Sequence, residues 1–181
     1  MTLDEVGIAE RNKRIGESRK VTKLRREHQV CRAFTCKIDY RKLKAEQREA
    51  LSQLFLDAKR LYNDCVTSED VFSYTPARVV NVRMRDGSFE QRELAHIGVQ
   101  TMQGVIQQAK DNIRGLSKLK EKGYKVGGLK PVKCFNSIPL KQPGRTYRLN
   151  GNYIHVERIP GVMHLTGVRQ LKGWEIGPAK L

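Results

Sequence analysis

Lys110, Arg114 and Lys118 recur at intervals of four, and in a helix that spacing sets all three on one face. Such a row is suited to following the phosphates of a nucleic acid, because each neutralised phosphate releases condensed counterions. The run continues through Lys120 and Lys122 and, past the helix, through Lys125, Lys130, Lys133, Lys141, Arg145 and Arg148, with only Asp111 and Glu121 as acids. A short charge run is usually just a solvated face. This one is long and nearly unbalanced, and it crosses a helix, a loop and a strand.

Residues able to make or break bonds show no comparable grouping. The chain has no phosphate-binding P-loop, no G-x-G-x-x-G and no G-x-S-x-G. His28, His96, His155 and His164 are scattered. Asp39, Asp57, Asp64, Asp70 and Asp86 are isolated in sequence, whereas a two-metal nuclease needs several carboxylates converging on its ions. The four cysteines, Cys31, Cys36, Cys65 and Cys134, form no C-x-x-C pair, and no histidine stands at zinc-ligand spacing from them. Cys36 and Cys65 occupy places where apolar residues are expected, so they are predicted to be buried thiols. No catalytic residue, metal ligand or cofactor is expected within the chain.

Charge and length set the broader bounds. The 181 residues carry a formal charge of +16, a surplus that repels itself unless an anionic partner is near. The length allows one domain or two small ones. A membrane partner would call for a long apolar span or a basic helix with a strongly apolar opposite face; no such span exists, and Met1 to Glu10 mix acids with isolated apolar residues, unlike a signal peptide. Nucleic acid is the expected partner. Reduced cysteines without a secretion signal point to the cytoplasm, in association with nucleic acid.

Residues 1–29 are polar and helix-permissive, a cationic arm carrying Arg11, Lys13, Arg14, Arg19, Lys20, Lys23, Arg25 and Arg26. From Val30 to Tyr40 a period of two predicts a half-buried strand with Arg32, Phe34, Cys36, Ile38 and Tyr40 on one face. Lys44 to Cys65 reads as a helix, with Leu51, Leu54, Phe55, Ala58, Leu61, Tyr62 and Cys65 inward. Val80, Val82 and Met84 lead into the turn signal Asp86-Gly87. A second helix from about Ile97 to Lys122 carries the stripe Val99, Met102, Val105, Ile106, Ala109, Ile113, Leu116 and Leu119. Gly98, Gly104 and Gly115 weaken that helix and would permit a close backbone approach; Gly123 stops it. Asn150-Gly151 marks a hairpin, and Val162 to Leu171 a further strand. The fold class is therefore α+β. The first strand reaches the later ones only if the helices are an insertion, which predicts a small antiparallel barrel interrupted by a helical lobe.

The order of segments resembles the N-terminal half of transposon-encoded TnpB proteins and small type V CRISPR effectors. The stretch "KLKAEQREALSQLFLDAKRLYNDCV" resembles the family's T-x-E-Q helix ending in F-V-Y-N, with Lys44-Ala45-Glu46-Gln47 and Arg60-Leu61-Tyr62-Asn63 as counterparts. "IGVQTMQGVIQQAKDNIRGLSK" looks like its glutamine-containing helix. "GLKPVKCFNSIPL" resembles a basic stretch reading F-P-x-F-K and then S-F-T, the first part reduced here to Leu129-Lys130-Pro131-Val132-Lys133. "YRLNGNYIHVERIPGVMHL" resembles a hairpin reading F-x-I-x-G-x-x-I-x-L-P-x-x-G. Residues 1–29 have no counterpart.

The resemblance implies an OB-like wedge barrel, residues 30–42 and 125–181, interrupted by a recognition lobe, residues 43–124. It implies guide RNA and double-stranded target DNA with a flanking motif as partners, the protein reading the motif while base pairing reads the target. Tyr62, Gln100 and Asn136 match positions facing the motif, with Asn63 and Gln103 beside them; Gln and Asn can grip an adenine edge. Tyr62 reads equally well as a core aromatic. The phosphate-contacting set is Lys110, Arg114, Lys118, Lys122, Lys125, Lys130, Lys133, Arg145 and Arg148. The RuvC-like nuclease half, where magnesium is expected, would lie beyond Leu181 or on another chain. The other readings are a nuclease-free RNA-guided repressor and a basic structural component of a ribonucleoprotein.

Overall fold

The computed structural model describes residues 3–27 and 29–181. The chain divides into two compact units, Met1–Thr35 and Cys36–Leu181, and each is taken here by itself. The first is built on one helix, α1 (Leu3–Glu27). Its Lys, Arg, Glu and Leu are strong helix formers, and Arg25 and Arg26 in the last turn complement the helix dipole. Ile8, Ile15, Val21 and Leu24 are exposed along it. Met1, Thr2 and His28 of the expected arm lie outside the described residues.

The second unit joins a helix pair to small antiparallel sheets, so the described architecture is α+β. A two-residue strand β1 (Lys37–Ile38) leads into α2 (Ala45–Thr67). Then come the ribbon β2 (Val79–Arg83) and β3 (Phe89–Glu93), and helix α3 (Val99–Glu121). The last part holds β4 (Pro139–Leu140), β5 (Tyr147–Asn150), β6 (Tyr153–Val156), β7 (Met163–Thr166) and β8 (Ala179–Lys180). The main sheet has the order β1-β7-β6-β5, and β4 pairs separately with β8. The first strand thus does meet the late strands around an inserted helix pair. Among the described residues the sheet is open: no pairing joins β5 back to β1.

Two strand expectations need correcting. The opening strand is not Val30 to Tyr40 but two residues long: residues 30–36 carry no regular structure, and beyond Ile38 the chain closes at Tyr40–Lys42 into a 3-10 turn on the Asp39 carbonyl. Tyr40 is exposed, with the Arg48 guanidinium 4.6 Å from its ring centre. The expected strand from Val162 to Leu171 ends at Thr166, where Gly167, at φ 83°, turns the chain into a 3-10 segment. The Asn150-Gly151 hairpin forms, with its register one residue along: Asn150 pairs with Tyr153, so Gly151-Asn152 is the loop. Gly151 has φ 55°, the positive value that a glycine-first two-residue turn requires.

The core runs from Leu54, Ala58, Leu61 and Cys65 of α2, through Met102, Val105, Ile106 and Ala109 of α3, to Ile138, Tyr147, Val156 and Met163 of the sheets. Gln47 joins these parts. Its amide is 4 % exposed and fully engaged. Oε1 accepts from the Lys44 backbone amide 3.1 Å away at the start of α2, while Nε2 donates to the carbonyls of Pro160 and Val162, each at 3.0 Å.

Two of the three glycines of the second helix do allow close approach. A Cβ on Gly98 would overlap the Glu157 carboxylate, an acid favourably placed beside a helix N-terminus. One on Gly104 would sit 2.9 Å from the Pro139 ring and 3.2 Å from its carbonyl. Gly115 has open space around it. Substitution by alanine should therefore have opposite signs along one helix. Gly115→Ala is expected to stabilise by about 0.5–1 kcal/mol through helix propensity, and Gly104→Ala to destabilise by about 1–3 kcal/mol through overpacking. Denaturant midpoints of the two variants check both.

Candidate nucleic-acid interface

Helix α3 is divided by its environment. From Thr101 to Ala109 its inward residues are buried against α2 and β4, whereas beyond Lys110 only Ile113 and Leu116 keep partial cover. Val99 and Leu119, both expected in the buried stripe, are 46 % and 43 % exposed. The stripe is covered only where α2 and the sheet support it. What emerges is a cationic rod, with Arg114, Lys118, Lys120 and Lys122 exposed around it. From Arg114 to Lys122 it rises about 12 Å. Lys118 and Lys120 lie in the last turn, where the helix dipole favours cations.

The end of the rod is closed. Gly123, at φ 84°, sends its amide to the Lys120 carbonyl at 2.9 Å, and Tyr124 sends its own to Leu119 at 3.1 Å. Both bonds make a Schellman cap. The basic segment that follows has no regular structure until β4, yet it is pinned to α2. Asn63 donates to the Val132 carbonyl at 3.0 Å and accepts from the Val132 amide at 2.8 Å. The Phe135 ring lies 5.3 Å from that of Tyr62, tilted by 49°. Lys125, Lys130, Lys133 and Asn136 are exposed on this segment.

The expected site residues therefore part company. Tyr62 is 3 % exposed, its hydroxyl accepting from the Asn112 amide at 3.2 Å, so its ring has no face left for a base. Of its two readings, the core aromatic is the one realised. Asn63 is occupied by the Val132 clamp. Lys110 is half-buried and caps a loop instead of facing solvent, donating to the carbonyls of Phe72 at 2.7 Å and Tyr74 at 3.2 Å. Arg114 is exposed but lies 2.8 Å from Asp111 and 5.5 Å over the Phe72 ring. Arg148 donates from Nε to the Gly144 carbonyl at 2.8 Å and is otherwise exposed, as is Arg145. Gln103 is exposed and Gln100 half-buried at the other end of α3. Lys118, Lys122, Lys125, Lys130 and Lys133 remain as open cations.

Carboxylates in this unit mostly hold the frame. Asp57, 1 % exposed, accepts from the His96 amide at 2.9 Å and from Arg60 at 3.3 Å. Asp64 accepts from the Tyr74 hydroxyl and from the Asn81 amide at 3.1 Å. Burial first, then the bond to Asp64, pushes the Tyr74 phenol well above its usual range. Among the described residues no group of three or more His, Cys, Asp or Glu could hold a metal ion. No described helix is long and apolar enough to cross a membrane. The hairpin expected at Asp86-Gly87 forms as the β2–β3 ribbon, and the inward alternation of Val80, Val82 and Met84 sets Asn81 and Arg83 on its opposite face, where no site residue was expected.

Of the two thiols expected to be buried, Cys36 is only half-buried and Cys65 is buried, and burial raises the Cys65 thiol from 9.0 to about 11. The neutral thiol favours the folded state fully below pH 9.0, and that contribution is lost as pH rises through about 11. Alkylation at neutral pH should reach the exposed Cys31 and Cys134 quickly and Cys65 only on unfolding. Mass spectrometry of partially labelled protein checks this; prompt labelling of Cys65 would contradict it.

Comparisons with protein-family models, with curated proteins and with solved structures each find no match to this chain.

Proposed function

We propose that the chain binds nucleic acid along the outer half of α3 and the pinned basic segment after it, as the guide-RNA- and target-DNA-holding part of a TnpB-like or type V-like effector. The observation that carries the nucleic-acid reading is the emergence of α3 from the core exactly where its apolar cover ends and its open lysines begin. Cations on a capped rod and a pinned loop are preorganised, so less conformational freedom is lost on meeting phosphates.

The guide-and-target reading rests on the ordered set of sequence resemblances. The pairing of β1 with β7 around an inserted helix pair supports a wedge interrupted by a recognition lobe, with barrel closure part of the same proposal. Any cleavage then belongs to a RuvC-like half with which the chain works. With Tyr62 buried and Asn63 bonded to Val132, the motif-reading part of the proposal falls to Gln100, Gln103 and Asn136, which are accessible in part or whole.

Titration of structured RNA and duplex DNA against salt tests the interface. Affinity should fall steeply with salt, and Lys118→Gln with Lys122→Gln should flatten the log–log slope by about 1.4–1.8, two phosphate contacts' worth. At low salt the double variant should bind about tenfold more weakly. Unchanged slope and affinity in that variant would overturn the assignment.

A further inference from the structure

The β2–β3 ribbon stands on α2 by one face only. Val80 is buried and Val82 half-buried against the core. Asp64 of α2 accepts the Asn81 amide at 3.1 Å, and Arg78 at the foot donates to the carbonyls of Leu94 at 3.2 Å and Ile97 at 3.0 Å. The opposite face is open. Its register sets Asn81 across from Gln91 and Arg83 across from Phe89, with Val79 and Glu93 paired at the foot. All six are exposed. The side chains of Asn81, Gln91 and Arg83 make no hydrogen bond or ion pair among the described residues.

We infer that this outward face reads duplex DNA from the major groove, Asn81 and Gln91 addressing adenine edges and Arg83 a guanine. The inference deepens the proposed function, on which it rests for duplex DNA as a partner. Paired strands of five residues form a ribbon about 17 Å long, and the major groove of B-form DNA, about 12 Å wide, admits a two-stranded ribbon. Amides and a guanidinium are the side chains whose paired donors and acceptors match adenine and guanine edges there.

The charge runs the right way. Arg83 and Arg85 stand towards the tip, and the tip acid Asp86 is turned onto the Ser88 hydroxyl at 2.6 Å and amide at 3.0 Å. These bonds hold its carboxyl below the usual range. Glu90 is paired with Arg92 on the other face, and Glu93 stays at the foot. A protein partner would call for an apolar centre, whereas here the centre is two amides and the apolar Val79 and Phe89 sit at opposite ends. An A-form duplex keeps its major groove too deep and narrow for side chains to read.

Selection from a duplex DNA pool randomised over one helical turn tests the inference, using the purified chain with any RNA it retains. The chain should enrich a short motif holding adenine and guanine positions. The variant Asn81→Ala with Gln91→Ala should lose discrimination at the adenines by about tenfold or more while keeping its melting temperature. Arg83→Lys, which keeps the charge but loses the planar fork, should relax the guanine alone. Lys118→Gln with Lys122→Gln should weaken binding yet enrich the same motif. No motif from the unaltered chain, or the same motif at full strength from the ribbon variants, overturns the inference. RNA retained without a DNA motif sinks the ribbon and leaves the proposed function standing; a ribbon-dependent motif without retained RNA does the reverse.

Discussion

Gln47 sits at the first turn of α2 with all of its amide in use. It closes the helix start onto Lys44 and holds the carbonyls of Pro160 and Val162, residues more than a hundred positions away in the chain. The loop between β6 and β7 is held from outside by this side chain and from within by His155, whose Nδ1 lies 2.8 Å from the Gly161 carbonyl. That loop sets β7, and β7 is the strand that β1 joins. Through Gln47 the helix pair and the sheet share a frame, and the core between them follows from it.

On that frame the contact of Gly104 with Pro139 brings α3 against β4, and the supporting surface then ends. The exposed second half of α3 has no packing reason to be apolar and is instead cationic. Asn63 and Phe135 keep the following segment near the helix pair, so the open lysines stand on constrained backbone. The ribbon follows the same logic: Asp64 and Arg78 fix its inner side, leaving an outer side whose polar centre, Asn81 and Gln91, has no side-chain partner among the described residues. In each case the frame consumes some polar residues and frees others, and the freed ones are candidates for a ligand.

The helices were legible because their apolar residues recur at helical spacing and glycine or loop signals bound them. The close approach at Gly104 was legible as well, as a glycine inside a helix that propensity disfavours. Tyr62, Asn63 and Lys110 were not, since a polar tip on a helix stripe serves a base, a phosphate or the protein's own loop equally well. Only the fold brings Val132 to Asn63 and the Phe72 carbonyl to Lys110. The opening strand was overextended because alternation in sequence runs from Val30, whereas pairing with β7 reaches only Lys37 and Ile38. The β4–β8 pair left no signal: two-residue strands are too short to carry a period.

The account's central claim is that this cationic frame holds a particular nucleic acid, a guide RNA, and not polyanions in general. Recovering and sequencing the RNA that stays with the purified chain through a high-salt wash tests it most directly. The account expects one structured RNA species, enriched far above its share of the input and protected over a continuous stretch. Recovery of no RNA, or of a sample mirroring total cellular RNA, would contradict it.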